Sequence, residues 1–66
     1  MEKLKLETLL NKFGTATEVR IVDTRLKEIY VGYLFRAFEN LDQKTLDRYV
    51  VFITCYNKHI IEIVVE

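Results

Sequence analysis

The chain contains one cysteine, Cys55, and one histidine, His59, and nucleophilic chemistry would have to start from this pair. A thiolate–imidazole dyad needs the two side chains within hydrogen-bond reach, an orienting carboxylate and preorganised oxyanion donors. Glu62 is the nearest carboxylate in sequence. The pair lies in a strongly β-prone stretch, however, with no helix start beside it to provide backbone donors. A small buried-type cysteine and a turn histidine account for these residues, no catalytic residue is assigned, and an enzyme is not expected. Glu39, Asp42 and Asp47 fit neither a calcium-loop spacing nor a paired-metal carboxylate set, so helix capping and solvation are expected of them rather than a metal site. Gly14 and Gly32 stand too far apart to cradle a phosphate, and no cofactor is expected.

Basic and aromatic side chains offer more. Arg20, Arg25, Arg36, Arg48 and Lys58 bring charge, and Tyr30, Tyr33, Tyr49 and Tyr56 bring flat faces. Guanidinium forks grip phosphate bidentately, and tyrosine rings stack on bases or anchor protein contacts. The candidate ligand-binding set is Arg20, Tyr30, Tyr33, Arg36, Tyr56 and Lys58. The competing reading makes most of the tyrosines amphipathic core or rim residues with their hydroxyls toward water. An oligomer would bring several copies of Arg20 or Arg36 together and build an anion site that no monomer has.

These residues must be positioned by few elements. Leu6, Leu9, Leu10 and Phe13 recur at spacings of three and four, which predicts an amphipathic helix of roughly three turns, with Gly14 as its C-terminal cap. Residues 18–23 alternate as a half-buried strand, and 23–27 form a polar turn without an Asn-Gly or Asp-Gly signature. The stretch Ile29 to Phe38 holds four of the eight aromatics. Its alternation predicts Ile29, Val31, Tyr33 and Phe35 on the inner face, and Tyr30, Gly32 and Leu34 on the outer. Gly32 signals a bulge or a close backbone approach. From Arg36 to Arg48 the period changes to one that fits a short helix or 3₁₀ turn; Asn40-Leu41-Asp42 reads equally as a turn, with Asp42 then capping a short helix through Leu46. Residues 49–56 and 59–65 predict a hairpin closed by Asn57-Lys58.

The predicted fold is a single α+β domain over 1–66: an N-terminal amphipathic helix packed on an antiparallel four-stranded sheet, with a short helical insert between strands 2 and 3. One helix cannot cover both sheet faces. The uncovered apolar face implies a partner subunit, a second small helix or a tendency to aggregate. At 66 residues, half of them hydrophobic and with no disulfide framework, such a chain often completes its core by oligomerising. A homo-oligomer is therefore expected, with Tyr30, Leu34 and Phe38 at its interface. Ten basic and ten acidic residues leave no net charge, which argues against general nucleic-acid or anionic-membrane binding. The N-terminal Met1-Glu2-Lys3-Leu4-Lys5 lacks a signal-peptide core, no apolar run reaches membrane-spanning length, and the unpaired cysteine suits a reducing cytoplasm.

The order Leu6-Glu7-Thr8-Leu9-Leu10, then Thr17-Glu18-Val19-Arg20-Ile21, then Ile29-Tyr30-Val31-Gly32-Tyr33, followed by a Leu46-Asp47-Arg48 step into a final hairpin, resembles small accessory proteins of phages and prophages of Gram-positive bacteria. Some compact oligomeric proteins of that class antagonise host immunity. The resemblance implies a non-enzymatic protein of the host cytoplasm that sequesters a cyclic-nucleotide immune signal between subunits. Its alternative is a small inhibitor or adaptor that binds a host defence protein through an exposed aromatic sheet face.

Overall fold

The leucine stripe at the start of the chain forms a helix, but a shorter one than its spacing predicts. The computed structural model describes residues 3–66; Met1 and Glu2, which open the segment read for a targeting signal, lie outside them. Helix α1 (Leu6–Leu10) buries Leu6, Leu9 and Leu10. It ends at Asn11, whose backbone N–H and side-chain amide both donate to the Glu7 carbonyl, at 3.1 and 3.0 Å. The N–H groups of Lys12 and Phe13 then turn back to the carbonyls of Leu9 and Leu10 in a tighter winding. Gly14 is thus not the cap; Asn11 is, in a right-handed conformation.

Strands β1 (Glu18–Asp23) and β2 (Glu28–Tyr33) form an antiparallel hairpin, and β3 (Val50–Cys55) and β4 (Ile60–Val65) form another. The hairpins join through β1 and β4, which run parallel, giving the order β2-β1-β4-β3. The sheet is therefore mixed, not antiparallel throughout as expected. The apolar residues explain the arrangement: β1 and β4 carry the fully buried Val19, Ile21, Ile63 and Val65, and the central positions are those that bury both faces best. The second hairpin loop is also longer than expected. Tyr56 N–H closes it on the Ile60 carbonyl at 2.9 Å, and the Asn57 carboxamide oxygen accepts from His59 and Ile60 N–H.

The insert between strands 2 and 3 is two helices, α2 (Leu34–Asn40) and α3 (Gln43–Leu46). No side chain caps the start of α2. Its first N–H groups, from Leu34 and Phe35, instead donate to the carbonyls of Thr17 and Thr15 at 2.8 and 3.2 Å, which ties the helix to the loop before β1. Asp42 caps α3 as expected, accepting from Thr45 N–H at 2.9 Å. Leu34, Ala37 and Leu46 join the α1 leucines and the inner residues of β1 and β4 in one core. Each fully buried leucine or isoleucine there contributes about 1.5–3 kcal/mol relative to exposure.

The faces of the Ile29–Phe38 stretch are exchanged relative to their alternation. Tyr30 and Gly32 lie opposite the buried Ile21 and Val19, so they face the helices, while Val31 and Tyr33 lie opposite Arg20 and Glu18 on the open side. A bulge is the cause. The ladder shifts between Ile21 and Val22, leaving Ile29 as an extra residue on β2. Ile29 still packs on the core, but every later residue swaps sides, as a one-residue slip dictates. Leu34 is consequently 1% exposed in the core rather than at an interface. Tyr30 is half-buried, and of the three expected interface residues Phe38 presents the most surface.

Candidate functional site

All the helices pack on one side of the sheet, so its other side is the broad surface left for recognition. Alternation places Glu18, Arg20 and Val22 of β1 there. The cross-strand register adds Val31 and Tyr33 of β2, Ile60, Glu62 and Val64 of β4, and Phe52 and Thr54 of β3. Val22 and Val64 sit side by side across the β1–β4 ladder and are buried. Val31, Tyr33 and Phe52 are about half exposed.

Arg20 occupies the middle of this face. It lies opposite Glu62 in the parallel ladder, and its Nη1 donates to the Glu62 carboxylate while its Nε donates to Glu28 at 3.3 Å. The guanidinium also lies 4.9 Å from the centre of the Tyr56 ring, within cation–π range. Only 17% of the Arg20 side chain and 13% of Glu62 remain exposed. Desolvation by its neighbours works against the charge, but the hydrogen bonds and negative charges of Glu62 and Glu28 outweigh it and hold the guanidinium pKa above its ordinary value. Glu18 is the third carboxylate on this face. The surroundings of Arg20 are therefore acidic in sum, which suits a cationic visitor better than a phosphate.

The six expected ligand residues do not converge. Arg20 and Tyr56 meet, and Tyr33 shares their face two residues along the β1–β2 ladder from Arg20's partner Val31. Tyr30 is on the opposite face, its hydroxyl donating to the Tyr33 carbonyl at 2.7 Å. Arg36 projects from α2, with its guanidinium 5.7 Å from the Phe35 ring, and Phe35 stacks on Tyr33 at 5.9 Å and 20°. Lys58 is exposed in the β3–β4 loop. The partners that the sequence reading missed are Glu28 and Glu62 as the holders of Arg20. The available signal was that Glu62 is the one charged residue in the otherwise apolar Ile60–Val65 run.

Other candidate chemistry has structural employment. Cys55 is exposed, not buried as expected, because it lies on the outermost strand, and it sits opposite Ile61 rather than His59, whose N–H is bonded to Asn57. Asp47 accepts from Gln43 at 3.0 Å and pairs with Lys5 at 3.7 Å. Among the described residues no three of His, Cys, Asp and Glu gather where they could hold a metal ion, and no helix is long and apolar enough to cross a membrane. Comparison with protein-family models, with curated proteins and with solved structures finds no match to this chain.

Proposed function

We propose that this chain is a small non-enzymatic binding module whose open sheet face docks on a protein partner presenting apolar and basic side chains. One observation carries the reading. The face that no helix covers holds half-exposed Val31, Tyr33 and Phe52 around an arginine already held by two carboxylates. Aromatic side chains and a desolvated, fully partnered arginine are what concentrates energy at protein interfaces. The acidic excess favours a basic partner. In the setting that the phage-protein resemblance implies, that partner is a host defence protein.

Sequestering a cyclic nucleotide between subunits is the second reading. The observation that favours it is Arg36, a guanidinium on the Phe35–Tyr33 stack that makes no ion pair with any described residue. One set of measurements separates the two. Panning a displayed peptide library on the immobilised protein is expected to enrich peptides mixing apolar with Lys or Arg residues. Their binding should fall at least tenfold in Tyr33→Asp and Phe52→Asp variants and stay unchanged in Arg36→Gln. Calorimetric titration with cyclic di- and trinucleotides is expected to give no heat. Nucleotide heat that vanishes in Arg36→Gln would overturn docking in favour of sequestration.

A further inference from the structure

The two edges of the sheet are built differently. On the β2 edge, the strand carries the Ile29 bulge, begins at the charged Glu28, and passes through Gly32 at φ 152°. Bulges, charges and backbone distortion are the devices by which edge strands avoid pairing with another chain. The β3 edge has little of this. Residues 49–56, Tyr-Val-Val-Phe-Ile-Thr-Cys-Tyr, contain no charge and no proline. The one irregularity is at its start, between Val50 and Phe52. There the edge is also covered, because Val50 N–H donates to the Leu4 carbonyl at 2.7 Å and Lys5 bridges Tyr49.

Beyond that cover the strand is bare. Tyr56 N–H points to β4, and an antiparallel ladder alternates, so Ile53 and Cys55 direct their backbone N–H and C=O groups away from the sheet. Side chains are exposed on both sides of the same strand: Phe52 on the open face is 53% exposed, and Ile53, on the helix side opposite Ile63, is 43% exposed. The helices do not reach far enough to cover it.

We infer that the β3 edge pairs with the β3 edge of a second copy of this chain, joining the sheets into one of eight strands. Self-complementarity selects the occupant. A two-fold axis matches an antiparallel edge with itself, donor to acceptor, and an edge without charge is one that its own copy does not repel. The covered residues at 49–50 and the irregularity at 51 fix the register, leaving 52–56 free. The axis passes beside Thr54; Ile53 lies opposite Cys55 of the second copy, and Phe52 opposite its Tyr56. The aromatic pairs fall on the open face, so the dimer takes up the β3 rim of that face, Phe52 and Tyr56, and leaves Val31 and Tyr33 of both copies open. The pairing does not depend on what docks there.

Sedimentation or light scattering of the reduced protein is expected to give twice the 7.9 kDa chain mass, and Ile53→Lys to give a monomer with unchanged far-ultraviolet dichroism. Val31→Lys, on the other side of the sheet, is expected to remain dimeric. Thr54→Cys in a Cys55→Ser background places the new thiols on a non-hydrogen-bonded pair with Cα atoms about 4.5 Å apart, inside disulfide range. It is expected to form a covalent dimer on mild oxidation. Cys55 itself, two residues off register from its copy, is not. Hydrogen exchange of the Ile53 and Cys55 amides should be slow in the wild type and fast in the monomer. A monomeric wild type, or a dimer that Val31→Lys breaks and Ile53→Lys does not, would overturn the pairing. So would a Thr54→Cys protein that fails to crosslink. A wild-type dimer that enriches no peptide would count against the docking face alone.

Discussion

Gly32 shows how one residue can fix the geometry of the β2–α2 junction. Its φ of 152° lies where residues with a side chain are strained, and a Cβ there would meet the Tyr30 hydroxyl oxygen at 2.8 Å and Cζ at 3.2 Å. The missing side chain lets the Tyr30 ring lie over the backbone and reach the Tyr33 carbonyl, on the residue from which α2 departs. Gly32→Ala is expected to destabilise the fold by about 2–4 kcal/mol, combining backbone strain with one lost hydrogen bond. For a domain whose total stability is roughly 3–10 kcal/mol, that is a large fraction. Denaturant melts of Gly32→Ala, Tyr30→Leu and the double variant would apportion it. Additive losses would show that the ring and the glycine are independent, contrary to this reading. The sequence signalled close backbone approach at Gly32. Alternation also set Tyr30, two residues earlier, on the same face; that its ring folds over the glycine to reach the Tyr33 carbonyl is decided by the side-chain rotamer, which spacing does not show.

At the scale of elements, the β1–β2 turn separates what composition reveals from what it hides. Asp23 organises the turn: its carboxylate accepts from Arg25 and Lys27 N–H at 2.8 and 3.0 Å, and its carbonyl accepts from Leu26 N–H at 2.9 Å. Leu26 then adopts φ 64°, the left-handed conformation that glycine usually supplies. A left-handed non-glycine residue costs roughly 1–2 kcal/mol, of which glycine's larger unfolded-state entropy returns part. Because Leu26 is 61% exposed and holds up no core, Leu26→Gly is expected to stabilise by about 0.5–1 kcal/mol. A lower melting temperature in this variant would mean that the leucine makes contacts the geometry does not suggest. The turn was legible from its polarity, whereas its type was not, since no glycine marks the left-handed position. The same holds more widely. Hydrophobic spacing revealed the α1 stripe, the four strands and the Asp42 cap. It left the parallel β1–β4 contact unread, because which strands become neighbours is decided by competition for the centre of the sheet and not by any strand's own pattern. The candidate site followed suit: Arg20, Tyr33 and Tyr56 were singled out, but the carboxylates that hold Arg20 come from strands whose adjacency the sequence did not reveal.

The whole molecule carries ten acidic and ten basic residues, so acid converts a neutral chain into a strongly cationic one, and self-repulsion then opposes folding. Two carboxylates add a specific contribution. Asp23 is held below its ordinary pKa first by the Lys27 backbone N–H, then by Arg25 N–H and the charges of Arg48 and Lys27, against an opposing desolvation. Asp42 is held below its ordinary value by its hydrogen bonds from Thr45, with Lys44 helping. A carboxylate whose pKa is lower folded than unfolded stabilises fully above the unfolded value, near 4, and that contribution disappears as pH falls through the folded value. Both groups therefore leave stability at neutral pH intact and steepen its loss below about pH 4. Replacing both with asparagine preserves an acceptor oxygen at the turn and at the α3 cap while removing the titration. Thermal melts from pH 7 to pH 2 should then show a small loss for Asp23→Asn/Asp42→Asn at neutral pH and a shallower decline in acid, the two curves converging toward pH 2. Parallel curves would assign the acid loss to overall charge repulsion and remove these two carboxylates from the account. A variant that unfolds at neutral pH would show instead that both sites need the ionised acceptor, not merely an oxygen in the same place.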